Sequence, residues 1–171
     1  MLTLLKTLLG IIQFRLGPDA IPRSTAVFSI VIAWWFVVGL IGVLLDPEAG
    51  IRSMLNSALV SLPGLLVYSV LVQANGKGDR VLQMLSAVIG CGTLFSLALT
   101  VLFAIVVQLP GDGEIPLLAV LSLWIIMLWS VAIDGHILSR TLNFPRAFGT
   151  AVAIAVFVFQ YYLFGLFSTA S

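Results

Sequence analysis

The sequence predicts an all-α, polytopic membrane bundle of five transmembrane helices, preceded by an N-terminal interfacial amphipathic helix. Three observations predict it. Five long stretches, Ser24–Leu45, Ser53–Gly76, Val81–Gly111, Ile115–Ile133 and Ala147–Ser171, contain no Asp, Glu, Lys or Arg. A helix needs about 20 apolar residues to cross roughly 30 Å of hydrocarbon, and each stretch is long enough. Hydrophobic residues make up 61% of the 171 positions and charged residues 9%, whereas a soluble domain is about a quarter charged. Finally, the eight Lys and Arg residues fall almost wholly between alternate stretches.

The first element covers residues 1–17. At 100° per residue, Thr3, Lys6, Thr7, Gly10 and Gln13 share one arc, and Leu2, Leu4, Leu5, Leu8, Leu9, Ile11, Ile12 and Leu16 fill the rest. That pattern suits a helix lying flat beneath the bundle with its apolar face in the acyl boundary. Lys6 interrupts the apolar region and no small-residue cleavage site follows, so it does not read as a secretory signal. Arg15 projects from the apolar side near the helix end, where it can snorkel to headgroups. Lys6 and Arg15 are therefore the expected interfacial residues. Gly17-Pro18 stops the helix, because the residue before proline is pushed out of the helical region.

Spans are expected at about 24–45, 54–74, 82–108, 115–135 and 147–168. In the first, Trp34 and Trp35 are central, so they fill a packing groove and do not form an interfacial belt. In the second, Pro63-Gly64 predicts a kink or break, since proline removes a donor and crowds the preceding turn. The third stretch is too short for two crossings and reads as one long helix, tilted or broken. Gly90-Cys91-Gly92 is its weak point. Cys91 is the chain's one cysteine, which excludes an intrachain disulfide and a cysteine metal cluster; it reads as a small hydrophobe.

Small residues four apart let helices meet closely in lipid. Ser86 and Gly90, Gly92 and Ser96, Gly149 and Ala153, and Ala151 and Ala155 have this spacing. In the fifth span Gln160 is the most central polar side chain. An amide in hydrocarbon seeks a partner, and Tyr68 and Ser130 are the conceivable ones. Trp124 and Trp129 lie within the fourth span.

Candidate chemistry is thin. Asp134, His136, Ser139 and Arg140 gather where the fourth span is expected to end, but Asp134 and His136 lie on different helix faces. Zinc needs three or four ligands, so a solvated helix end is the better account. Asn75–Arg80 contains Gly-Lys without the spacing of a phosphate loop and reads as a turn. Asp112 and Glu114 read as a solvated acidic turn. No ionisable residue falls inside the five uncharged stretches, which argues against a pump, an ion-coupled carrier or a membrane hydrolase. No catalytic, cofactor-binding or metal residue is therefore assigned, and no basic cluster suits nucleic acid.

Lys6, Arg15, Arg23, Lys77, Arg80, Arg140 and Arg146 share one side of the membrane, and Arg52 stands alone on the other. Positive residues stay inside, which predicts a cytoplasmic N-terminus and an outer C-terminus. The connections are too short to fold alone, so residues 1–171 read as a single membrane domain.

Leu16-Gly17-Pro18 before the first span, Leu121-Ser122-Leu123-Trp124, and Ile137–Ala147 between the fourth and fifth spans resemble the YIP family of five-span proteins, named for interacting with Ypt/Rab GTPases. The likeness extends over the whole chain in topology. Phe14-Arg15-Leu16 stands where eukaryotic members carry an acidic-leucine motif. The resemblance implies a small helical scaffold of the bacterial type, in the inner membrane. The expected function is thus a non-catalytic scaffold or adaptor, its partners the lipid bilayer and either a homo-oligomer or other membrane proteins. The alternative is a transporter or channel component for a lipid or apolar solute, motivated by Pro63, Gly90, Gly92 and Gln160. An enzyme using Asp134 and His136 ranks below both.

Overall fold

Within lipid every backbone N–H and C=O must find a partner in its own segment or a closed sheet. The computed structural model, which describes residues 1–45, 50–107 and 117–169, meets that demand with helices alone. Among the described residues these are α1 (Leu2–Ile12), α2 (Thr25–Leu45), α3 (Gly50–Ala74), α4 (Val81–Val107), α5 (Leu117–Leu142) and α6 (Arg146–Thr169). The last five are long and apolar enough to cross a membrane. Short 3₁₀ turns at Pro18–Ala20 and Gly78–Arg80 lead into α2 and α4. Asp46, Glu48, Asp112 and Glu114, the acids expected on the far side, lie outside the described residues.

Of the two forms expected for the third span, α4 takes the long unbroken one, and α3 stays helical through Pro63. Three expectations are corrected. First, α1 ends a turn early, at Ile12. Second, the α1 face built from Leu4, Leu8 and Ile11 packs into the bundle, not into acyl chains, with Leu8 and Ile11 fully buried. Finally, α5 continues to Leu142, and its end is solvated only in part: His136 and Ser139 are buried, while Arg140 is exposed.

Helices α1, α3 and α5 stop alike, and the stop is local. Phe14, Gly76 and Asn143 take positive φ (59°, 73° and 57°). The following N–H groups then reach back five residues: Arg15 to Gly10, Lys77 to Val72 and Phe144 to Ser139, at 2.9–3.1 Å. This left-handed closure satisfies carbonyls that a helix end otherwise leaves free. Glycine and asparagine adopt it at little cost, but a bulky Phe does not.

Close packing is decided at a few glycines. A Cβ on Gly135 would lie 2.6 Å from the Thr150 Cα, and one on Gly149 would collide with the Gly135 carbonyl oxygen. So α5 and α6 touch backbone to backbone, which dispersion in lipid rewards. Gly64 admits Val156 and Gln160 of α6 to α3 in the same way. The buried core (Tyr68, Val72, Met84, Ala87, Cys91, Ile133, Ile137) belongs to the halves of α3, α4 and α5 nearest the basic connections. In the opposite halves Leu44, Leu117 and Leu118 are more than 70% exposed.

Gly149→Ala should therefore lower stability by about 1–3 kcal/mol, the usual cost of forcing atoms into a closed contact. Gly42→Ala and Gly92→Ala, whose added Cβ meets nothing within 4 Å, should be neutral or slightly stabilising, since alanine is the better helix former. Thermal unfolding in a mild detergent separates the two outcomes.

Candidate functional site

Among the described residues, polar side chains gather at one end of the bundle, where α3 and α5 finish and α4 begins. Helix ends expose free carbonyls, and cations near a C-terminus satisfy both the oxygens and the dipole. Lys77 Nζ donates to the Leu142 carbonyl (2.5 Å) and Arg80 Nη1 to that of Thr141 (3.4 Å). Two residues of the Asn75–Arg80 turn thus close α5. Gln83, one turn into α4, is buried; its Nε2 donates to the Ile21 carbonyl (2.6 Å) and its Oε1 accepts from Arg23 Nε (3.1 Å). Arg23 also pairs with Asp79. Both partners are about half exposed, so the pair adds at most about 1 kcal/mol.

The segment between α1 and α2 lies over α5. Trp129 Nε1 donates to the Ile12 carbonyl (3.1 Å), and His136 Nε2 stands 2.9 Å from the Leu16 carbonyl oxygen. The ring of Phe14 sits edge-on to His136, 5.3 Å between centroids, and 5.8 Å from Trp129. That contact offsets the backbone strain at Phe14, which by itself costs of order 1–3 kcal/mol. Beside it, Pro18, Asp19, Arg80, Gln83, Arg140 and Thr141 line a shallow crevice of about 10 Å³.

Deeper in the bundle Asp134 lies within electrostatic range of Tyr68 on α3 and Cys91 on α4. Cys91 Sγ also approaches the Leu8 carbonyl (3.9 Å). Asp134 and His136 meet different neighbours and form no dyad. Among the described residues no group of three His, Cys, Asp or Glu could hold a metal.

The structure sorts the residues singled out from the sequence. Gly90 is buried against Leu8 of α1: a Cβ there would lie 2.8 Å from Leu8 Cδ2. Gly149 and Ala153 are buried, as are Ser86 and Gly90, whereas Gly92, Ser96, Ala151 and Ala155 are exposed. Half of the small-residue pairs therefore mark no contact within the chain. Pro63 is half-buried on α3. Gln160 Nε2 donates to the Ser61 carbonyl (3.4 Å), not to Tyr68 or Ser130; Ser130 bonds within α5, to Met127. Lys6 and Arg15 are exposed. Gln83 was missed, although an amide in an otherwise apolar helix was a visible signal. The role of Phe14 left no trace in the spacing.

No family model matches the chain, nor does any curated protein or solved structure.

Replacing Gly90 with Val should unseat α1. In a Cys91→Ser background, a Leu8→Cys probe should resist maleimide while Gly90 is kept and react once Gly90→Val is added. Equal reactivity in both chains would place α1 off the bundle from the start.

Proposed function

We propose that this protein is a non-catalytic, multi-pass membrane scaffold or adaptor that works by packing with other membrane proteins or with itself. One observation carries the reading. The residues that motivated a solute path are engaged in packing, or stand apart from any path. Gln160 and Gly64 join α6 to α3, Gly90 seats Leu8, and Gly92 is exposed. The bland account of each is also the one its contacts favour, since interhelical hydrogen bonds and small residues are the ordinary adhesives of membrane helices.

The same reading puts the basic end in the cytoplasm of a bacterial cell, with the C-terminus outside, because positive residues are retained there. The Leu16-Gly17-Pro18 segment packs over α5 through His136. A conformation fixed in this way would give the YIP-like sequence a structural task, independent of GTPase binding.

Crosslinking in native membranes, followed by purification in mild detergent, tests the reading. A discrete homo-oligomer or a reproducible protein partner is expected; a chain that stays monomeric and yields only lipid adducts would remove the proposal. Gln160→Leu should cost about 0.6–2 kcal/mol of stability, the worth of one interhelical bond, and leave the crosslinked species unchanged. A flux of apolar solute in liposomes that Gln160→Leu abolishes would favour the transporter instead.

A further inference from the structure

An acid stands inside the basic half of the bundle with no positive group to meet it. Asp134 lies about 12 Å along α5 from Leu142, Tyr68 about 9 Å along α3 from Ala74, and Cys91 about 15 Å along α4 from Val81, at 1.5 Å per residue. Three helices thus bring these groups to a similar depth, beside the fully buried Ile133 and Ile137, with Asp134 itself half-buried. No hydrogen bond or ion pair reaches the Asp134 carboxyl among the described residues.

The cations of this end are engaged or face outward. Lys77 and Arg80 bind carbonyls of α5, Arg23 holds Asp79 and Gln83, and Lys6, Arg15, Arg140 and Arg146 are exposed. Two polar atoms in the same half, Ser86 Oγ and His136 Nδ1, are buried without a partner. Unsatisfied groups of this kind call for a water or an ion, and an ionisable residue within the membrane is a functional site by default.

We propose that Asp134 is an intramembrane proton-binding site, its carboxyl taking up a proton in the interior of the bundle between Tyr68 and Cys91. The titratable groups within its electrostatic range are these two, from α3 and α4. Helix α1 turns Leu8 and Ile11 inward, α2 Val31 and Val38, and α6 Ala153 and Val156, none of them titratable. On α5 itself, His136 points to Phe14 and Leu16. The site adds a chemical role that scaffolding does not require, and it stands whether or not the chain is a scaffold.

Carbodiimide chemistry tests it. Dicyclohexylcarbodiimide adds across the O–H of a carboxylic acid, and the O-acylisourea then rearranges to a stable N-acylurea where water is kept away. In proteoliposomes holding the full chain at neutral pH, peptide mass spectrometry should find Asp134 labelled about tenfold more than the exposed Asp19 and Asp79, given its apolar setting. Labelling should fall as the pH is raised and be indifferent to sodium. Asp134→Asn should lose the adduct, and Asp134→Glu should keep it. Labelling of Asp134 no greater than that of Asp19 and Asp79 would overturn the proposal. So would protection by sodium without dependence on pH, since the bound species would then be an alkali ion.

Discussion

Hydrocarbon offers no hydrogen bond, and the rest of the structure follows from how the chain answers that constraint. Helices satisfy their own backbones everywhere except at their ends. At the basic end the loose carbonyls of α5 are taken up by Lys77 and Arg80, and those of α1, α3 and α5 by left-handed closures. The carbonyls of Ile12, at the end of α1, and of Leu16 and Ile21, between the first two helices, are met by Trp129, His136 and Gln83. Polar side chains are therefore concentrated where backbone is irregular. They are fastenings first, and any further chemistry is superimposed on them.

The bundle is consequently two bodies in one. Near the basic connections α1 fills the space between α4 and α5, and the core is closed around Leu8, Met84 and Ile137. Toward the other face, the described residues include few buried side chains, and apolar ones such as Leu44 and Leu118 look outward. Such surface is costly in water but suits acyl chains, which are as apolar as leucine. One half of the molecule is held by its own contacts and the other is completed by its surroundings. The proposed scaffold role would use this division, with a closed root and a face left to meet other helices.

How much of this was legible depended on whether the signal was local. Five helices could be read directly, because the absence of charge over 20 or more residues is a property of each segment alone. The stop of α1 was placed at Gly17-Pro18, whereas the helix ends at Ile12 through the left-handed Phe14. Where packing decides, the sequence was ambiguous. Ser86–Gly90 and Gly92–Ser96 have identical spacing, yet one pair is buried and the other exposed, because spacing fixes a helix face without saying what covers it. Asp134 was placed at the edge of the fourth span because the uncharged stretch stops at Ile133, whereas the helix continues to Leu142 and holds the half-buried acid eight residues before its end. Helix α1 was read as interfacial since its apolar arc fits a membrane surface and a protein groove equally well.

The positive φ of Phe14 bears on how the chain is assembled. Its ring is held by Trp129 and His136 of α5, and α1 itself rests on Gly90 of α4. During synthesis those supports emerge long after Phe14 does. The segment made earlier must therefore wait, its Leu8 and Ile11 sheltered by lipid or a chaperone, until two later helices have been threaded. Its seating follows the insertion of α4 and α5, and a chain interrupted before α5 leaves that helix without its berth.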